Sequence, residues 1–133
     1  MKRNFIGYGK EKPKILWPQE NKIAVSFVVN IEEGAELSIS SGDSQNEYVY
    51  ENNKIKILDI QDLCMESHFE YGLRSGIWRI FDVFDKYNVK ATFSCCSLAL
   101  ENSPWLIDEI LIRNHEISAH GVKWISHAYL SKD

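Results

Sequence analysis

The stretch that most restricts how this chain can fold is residues 23–30, Ile-Ala-Val-Ser-Phe-Val-Val-Asn, a β-branched and nearly continuous apolar run. Strict alternation would mark a strand with one wet face. Continuity marks one buried on both faces, as the strands of parallel sheets are. Parallel neighbours need crossover connections, usually helical, so this run predicts helix–strand units downstream.

Two such units follow. Ile77, Ile80, Phe81, Phe84 and Tyr87 recur at the i, i+3, i+4, i+7 spacing of an amphipathic helix, predicted from about Gly72 to about Tyr87 with Asn88 as its stop. Val89-Lys90-Ala91-Thr92-Phe93-Ser94-Cys95-Cys96 has the composition of a second buried strand. A second helix is predicted with Ser103 as N-cap, Pro104 at the first helical position and Asp108 and Glu109 near the positive end of its dipole, stopping near Asn114. His115-Glu116-Ile117-Ser118-Ala119-His120-Gly121 reads as a third strand. The order strand, helix, strand, helix, strand is that of an α/β fold with a parallel sheet and right-handed crossovers. Residues 1–22 read as an extended N-terminal arm and residues 23–133 as one domain, the count that a 133-residue chain suits.

Between the first strand and the first helix, residues 35–66 form a polar excursion containing Ser40, Ser41, Gly42, Asp43, Asn52 and Asn53. Long loops inside compact domains are commonly functional, so the excursion points to a site at the end of the first strand.

The charge balance bears on partners. Fifteen Lys plus Arg against 19 Asp plus Glu give a net charge of -4. The one basic cluster, Lys2, Arg3, Lys10, Lys12 and Lys14, is interrupted by Asn4, Glu11 and Pro13 and reads as a solvated arm, so no nucleic-acid partner is expected. No membrane partner is expected either, because no window holds the roughly 18 uninterrupted apolar residues of a span and the N-terminus lacks an apolar signal segment. A cytoplasmic location follows, with Cys64, Cys95 and Cys96 as reduced thiols, since the count is odd and neighbours rarely pair. Neither a Cys-x-x-Cys spacing nor a Cys/His zinc pattern occurs.

Parallel α/β sheets bind ligands outside the carboxyl ends of their strands, and two candidates fall there. Asn30-Ile31-Glu32-Glu33-Gly34 places two adjacent carboxylates where the first strand ends, with a glycine to turn the backbone. Like charges so close raise one pKa, which suits a general base or a pair of metal ligands, while the bland reading is a solvated turn. The second candidate is His120-Gly121 at the end of the third strand, with His127 seven residues on. Taken singly, a strand-end histidine is commonly structural. Acidic residues ending one strand and a histidine ending another converge on one face, the geometry of acid–base or metal-assisted hydrolysis. A Ser-His-Asp hydrolase is disfavoured because no Gly-x-Ser-x-Gly elbow occurs, and a nucleotide-binding module because no Gly-rich loop follows the first strand.

In this order the pieces resemble the polysaccharide deacetylase superfamily, whose first motif is an acidic pair followed by glycine, here Glu32-Glu33-Gly34. Val89-Lys90-Ala91-Thr92-Phe93 and His115-Glu116-Ile117-Ser118-Ala119-His120-Gly121 are similar to its second strand and histidine motif. Gly7-Tyr8-Gly9, Trp17-Pro18, Met65-Glu66-Ser67, Glu70-Tyr71-Gly72-Leu73-Arg74-Ser75-Gly76-Ile77-Trp78-Arg79 and His120-Gly121-Val122-Lys123-Trp124 resemble its allantoinase branch, which opens the hydantoin ring of allantoin.

The resemblance implies a partial (β/α) barrel with about three parallel strands, crossover helices and the N-terminal arm. It implies hydrolysis of a non-peptide carbon–nitrogen bond in a small amide or hydantoin substrate, either allantoinase-like ring opening or deacetylase-like amide hydrolysis. Glu32 or Glu33 would act as general base and His120 would orient or protonate. Asn30, Arg74 and Trp124 would contact substrate, Arg74 through its planar fork, although a surface salt bridge is an equal reading for it. Metal-dependent relatives carry aspartates in the first motif and a second histidine four residues after the first, where this chain has glutamates and Trp124. Cofactor use is therefore none, or a single divalent zinc held by Glu33 and His120, with His127 joining only if the backbone bends. Relatives run to about twice this length or more, so the chain is expected to be an N-terminal portion whose open edges are covered by a second copy or by a complementary C-terminal fragment. An inactive remnant that works only by association is the alternative reading.

Overall fold

The computed structural model describes residues 2–48 and 59–131. The excursion residues Asn52 and Asn53 lie outside them. Three parallel strands, β1 (Val28–Ile31), β2 (Thr92–Cys95) and β3 (Glu116–Ala119), stand side by side in chain order. Register is uniform: Asn30 pairs with Ser94 and Ser94 with Ser118, while Val29, Phe93 and Ile117 form the next rung. The sheet is open. Each outer strand has one neighbour among the described residues.

Because side chains alternate across a strand, the register sorts the sheet into two faces. Ile31, Phe93 and Cys95 point to the helical side and join Ile77, Phe81, Leu106 and Ile110 in the core. Asn30, Ser94 and Ser118 point to the other side, which is polar and open. The expectation that the first strand is buried on both faces is corrected here: Val28 is 58% exposed, and Ile23 and Val25, at 75% and 71%, precede the strand rather than form it. Their apolar character is real, but among the described residues nothing covers them. The second and third strands are likewise shorter than predicted, since only the paired centres form ladders.

The first crossover is one helical path from Leu63 to Tyr87, beginning well before Gly72. It comprises α1 (Leu63–Tyr71), a π-helical segment (Gly72–Gly76) and α2 (Ile77–Tyr87). The Asp62 side chain caps α1 by accepting from Met65 N–H at 3.1 Å. Asn88, left-handed at φ 49°, ends α2 as its sequence predicted. The second crossover contains an unpredicted short helix, α3 (Ser97–Asn102), before α4 (Trp105–Ile112). Ser103 is not the cap of α4; its N–H closes α3 by bonding to Ala99 and Leu100 carbonyls, so Pro104 takes the cap position.

The polar excursion is pinned by one carboxylate. Glu66 accepts from Ser38 Oγ at 2.9 Å, Ser40 N–H at 3.2 Å, Asn46 Nδ2 at 2.7 Å and Gln61 Nε2 at 2.6 Å. Burial disfavours its charge, but these four donors outweigh that and hold its pKa down at about 2. Asp43 in turn grips Lys123 Nζ with both oxygens, at 2.6 and 2.5 Å, tying the excursion to the loop after β3. No helix among the described residues is long and apolar enough to cross a membrane.

Candidate active site

Strand alternation decides the roles of the two adjacent glutamates. Ile31 points into the core, so Glu33 falls on the helical side and Glu32 on the open side with Asn30. Glu32 Oε1 lies 2.9 Å from His120 Nε2, and the two side chains are 22% and 33% exposed. Glu33 turns the other way. Its Oε2 accepts from Glu32 N–H at 3.2 Å, and its carboxylate rests on Gly72 so closely that a Cβ there would stand 1.9 Å from Oε1. The third motif residue, Gly34, has φ +86°, the left-handed turn that takes the chain off the sheet.

Glu32 leaves β1 and His120 leaves β3, so the pair reaches across β2, over two of the ~4.8 Å strand spacings of a sheet. The backbone ladder carries both ends into place: Cys96 N–H donates to Ile31 carbonyl at 2.9 Å and His120 N–H to Cys95 carbonyl at 2.9 Å. Beneath the bridge, Ser94 Oγ sits 3.2 Å from His120 Nδ1. Both imidazole nitrogens are thus engaged. Beside the pair, burial raises the Cys96 thiol pKa, helped by the Glu32 charge, and burial with Cys96 as neighbour pushes Cys95 up to about 11. Protonated thiols of this kind are poor nucleophiles.

Three other predicted residues divide between two clefts. Trp124 and His127 line an open cleft of about 390 Å³ together with His120 and Lys123. Trp124 is anchored there by its backbone N–H, which donates to the Ala35 carbonyl at 2.9 Å. Arg74 lines a different cleft, of about 230 Å³, on the side of Glu33, and is ion-paired with Glu70 four residues before it. The structure therefore brings Glu32, His120 and Asn30 to the open side of the sheet, sets Trp124 beside His120 in the cleft after β3 while packing it against the core, and leaves Glu33 and Arg74 on the helical side. Ser94 was missed because a serine in a strand carries no spacing signature.

Comparison with known proteins bears on the family and the fold. The sequence profile of the family described as polysaccharide deacetylase matches residues 61–133. The chain belongs to the polysaccharide deacetylase family. A Schizosaccharomyces pombe relative, named "Putative polysaccharide deacetylase", is 36% identical over 114 residues, covering 84% of this chain and 36% of its own length. Two crystal structures superpose with TM-scores of 0.88 at 34% identity: one titled as PuuE allantoinase, covered over 99% of this chain and 44% of its own, the other as a "probable Polysaccharide deacetylase" from Pseudomonas aeruginosa PAO1, covered over 98% and 44%. The chain thus spans less than half the length of these relatives.

For a deacetylase-family chain, the donor set is unusual. Zinc sites of the hydrolytic kind use three protein ligands and leave the fourth position open. Here two groups converge, and both nitrogens of the histidine already have partners. The position four after His120 is Trp124, and Glu33, the carboxylate expected beside His120 in a metal site, faces away. Among the described residues no group of three His, Cys, Asp or Glu side chains could hold a metal ion. The described residues do not by themselves fit a resident metal.

Proposed function

We propose that this chain carries the acid–base pair of a hydrolase acting on a non-peptide carbon–nitrogen bond. The observation that supports it is the 2.9 Å contact between Glu32 and His120 at the carboxyl ends of β1 and β3, beside an open cleft. In this reading Glu32 takes a proton from water as the water oxygen adds to the amide carbonyl carbon. The pair then delivers a proton to the nitrogen as the carbon–nitrogen bond breaks, leaving a carboxylate and a free amine or, from a ring, an opened acid. One water is consumed and no net proton is kept by the protein. Trp124 and Asn30 contact the substrate, and the reaction belongs in the cytoplasm, where Cys64, Cys95 and Cys96 stay reduced.

The ring-opening version is the leading one, because the motifs depart from the metal-dependent pattern in both the carboxylates and Trp124. Assays with allantoin and with N-acetylated sugars separate the two versions. Glu32→Gln and His120→Gln are each expected to lower kcat by ~10²–10⁴-fold, the usual share of a positioned acid or base. Activity toward neither substrate by the protein, alone or with any downstream-encoded polypeptide, would refute the hydrolase reading. The open polar face and the one-sided pairing of β1 and β3 support a second reading, that the chain associates with a second copy or a complementary fragment and is inactive alone. Solution mass alone and after mixing distinguishes the two.

A further inference from the structure

We infer that Ser94 is a positioning residue that holds the His120 ring through Nδ1, from the floor of the sheet, so that Nε2 meets Glu32. The inference rests on the reading that Glu32 and His120 handle protons. A carboxylate only accepts, so against Glu32 Oε1 the neutral ring presents Nε2–H. Nδ1 is then a lone pair and needs a donor. Ser94 Oγ, 3.2 Å away, supplies one. When His120 takes up a second proton, Nδ1–H becomes a donor and the same hydroxyl turns to accept it. A hydroxyl is suited to both states, whereas a carboxylate at this place would pin the charged ring and an amide would have to flip.

The placement is built into the sheet. Ser94 lies on the central strand, in register with Asn30 on one side and Ser118 on the other, on the face over which the bridge passes. Its side chain is half-buried within a hydrogen-bonded strand. As a nucleophile it would have to form an acyl ester from inside the sheet floor; as a hydrogen-bond partner it needs no movement.

The test compares Ser94→Thr with Ser94→Val in the full chain, two β-branched, nearly isosteric variants that differ in the hydroxyl. Nitrogen-15 NMR of the His120 ring reports the hydrogen bond at each ring nitrogen without reference to activity. All three proteins should show the Nε2–H form that Glu32 selects; the Nδ1 signal should carry a hydrogen-bond shift in the wild type and the Thr variant and lose it in the Val variant. With substrate, the Val variant should lose about tenfold in kcat with KM unchanged, and the Thr variant should recover it. An unchanged Nδ1 signal in the Val variant would overturn the assignment, as would an acyl adduct trapped on Ser94. Loss of the Nδ1 hydrogen bond in protein that hydrolyses nothing would sink the hydrolase reading and leave the role of Ser94 in place.

Discussion

Replacing Gly72 with alanine should change sign according to what stands at position 33. Gly72 has ordinary helical angles, φ -53° and ψ -58°, so alanine there would normally stabilise by ~1 kcal/mol through backbone entropy. In this protein the new Cβ would stand 1.9 Å from Glu33 Oε1, 2.6 Å from Cδ and 2.9 Å from Cγ. Three overlapping atoms mean that turning the carboxylate alone brings no relief; the whole side chain must leave. With it goes the 3.2 Å bond from Glu32 N–H, a bond to a charged group worth ~1.5–3 kcal/mol. Gly72→Ala should therefore destabilise the protein by ~0.5–2 kcal/mol. In a Glu33→Ala background the clash is absent, and the same change should stabilise by ~1 kcal/mol. The coupling, ~1.5–3 kcal/mol, exceeds the ~0.3–0.5 kcal/mol scatter of independent sites. Urea denaturation of the four proteins measures it, with midpoints moving by ~0.5 M for each kcal/mol at an m-value of ~2 kcal/mol/M. Equal effects of Gly72→Ala in both backgrounds would refute the argument and free Glu33 from its niche.

Two further expectations concern acid. His115 is buried among Phe81, Phe84 and Phe93, with Nδ1 accepting from Ala91 N–H and no partner for Nε2 among the described residues. Burial first, then the nearby Lys90 charge, lowers its pKa below 6.5. The unfolded chain therefore takes the proton first, and this contribution to stability, full above about pH 6.5, should fall below it with a slope approaching ~1.4 kcal/mol per pH unit, a slope that His115→Met should remove in thermal denaturation at stepped pH. Glu66, held at about 2 against an ordinary 4.5, works in a lower window. Its contribution is complete above pH 4.5 and is lost as pH falls toward 2, so Glu66→Gln should flatten the stability curve there; an unchanged curve would mean that its four donors bring no net gain.

The fold was legible where burial and periodicity agree. Ile77, Ile80, Phe81 and Phe84 gave α2 its stripe, and Asn88 its end. The same helix was misjudged at its start because Leu63, Met65 and Phe69 do not line up on one face, and the π-helical segment shifts the phase between α1 and α2. Ile23 to Val25 read as strand because composition reports apolarity, not the presence of a neighbour to pair with. At the site, Glu32 and Glu33 could have been separated without coordinates. Once Ile31 is placed in the core, period-two alternation sends Glu32 to the opposite face and Glu33 to the same one. Ser94 and the Asp43–Lys123 grip depend on register and on loop closure, which no local pattern encodes.

The contact between Glu32 and His120 joins residues 88 positions apart and crosses the middle strand. No hairpin or single crossover can make it; both crossovers must have docked, so the loop-closure cost of two long connections precedes the first productive geometry. Under the proposed reading, chemistry at this pair therefore waits for β3 to dock. A chain caught partway through folding holds the glutamate and the histidine as separate, solvated groups, and the two meet only when the third strand arrives.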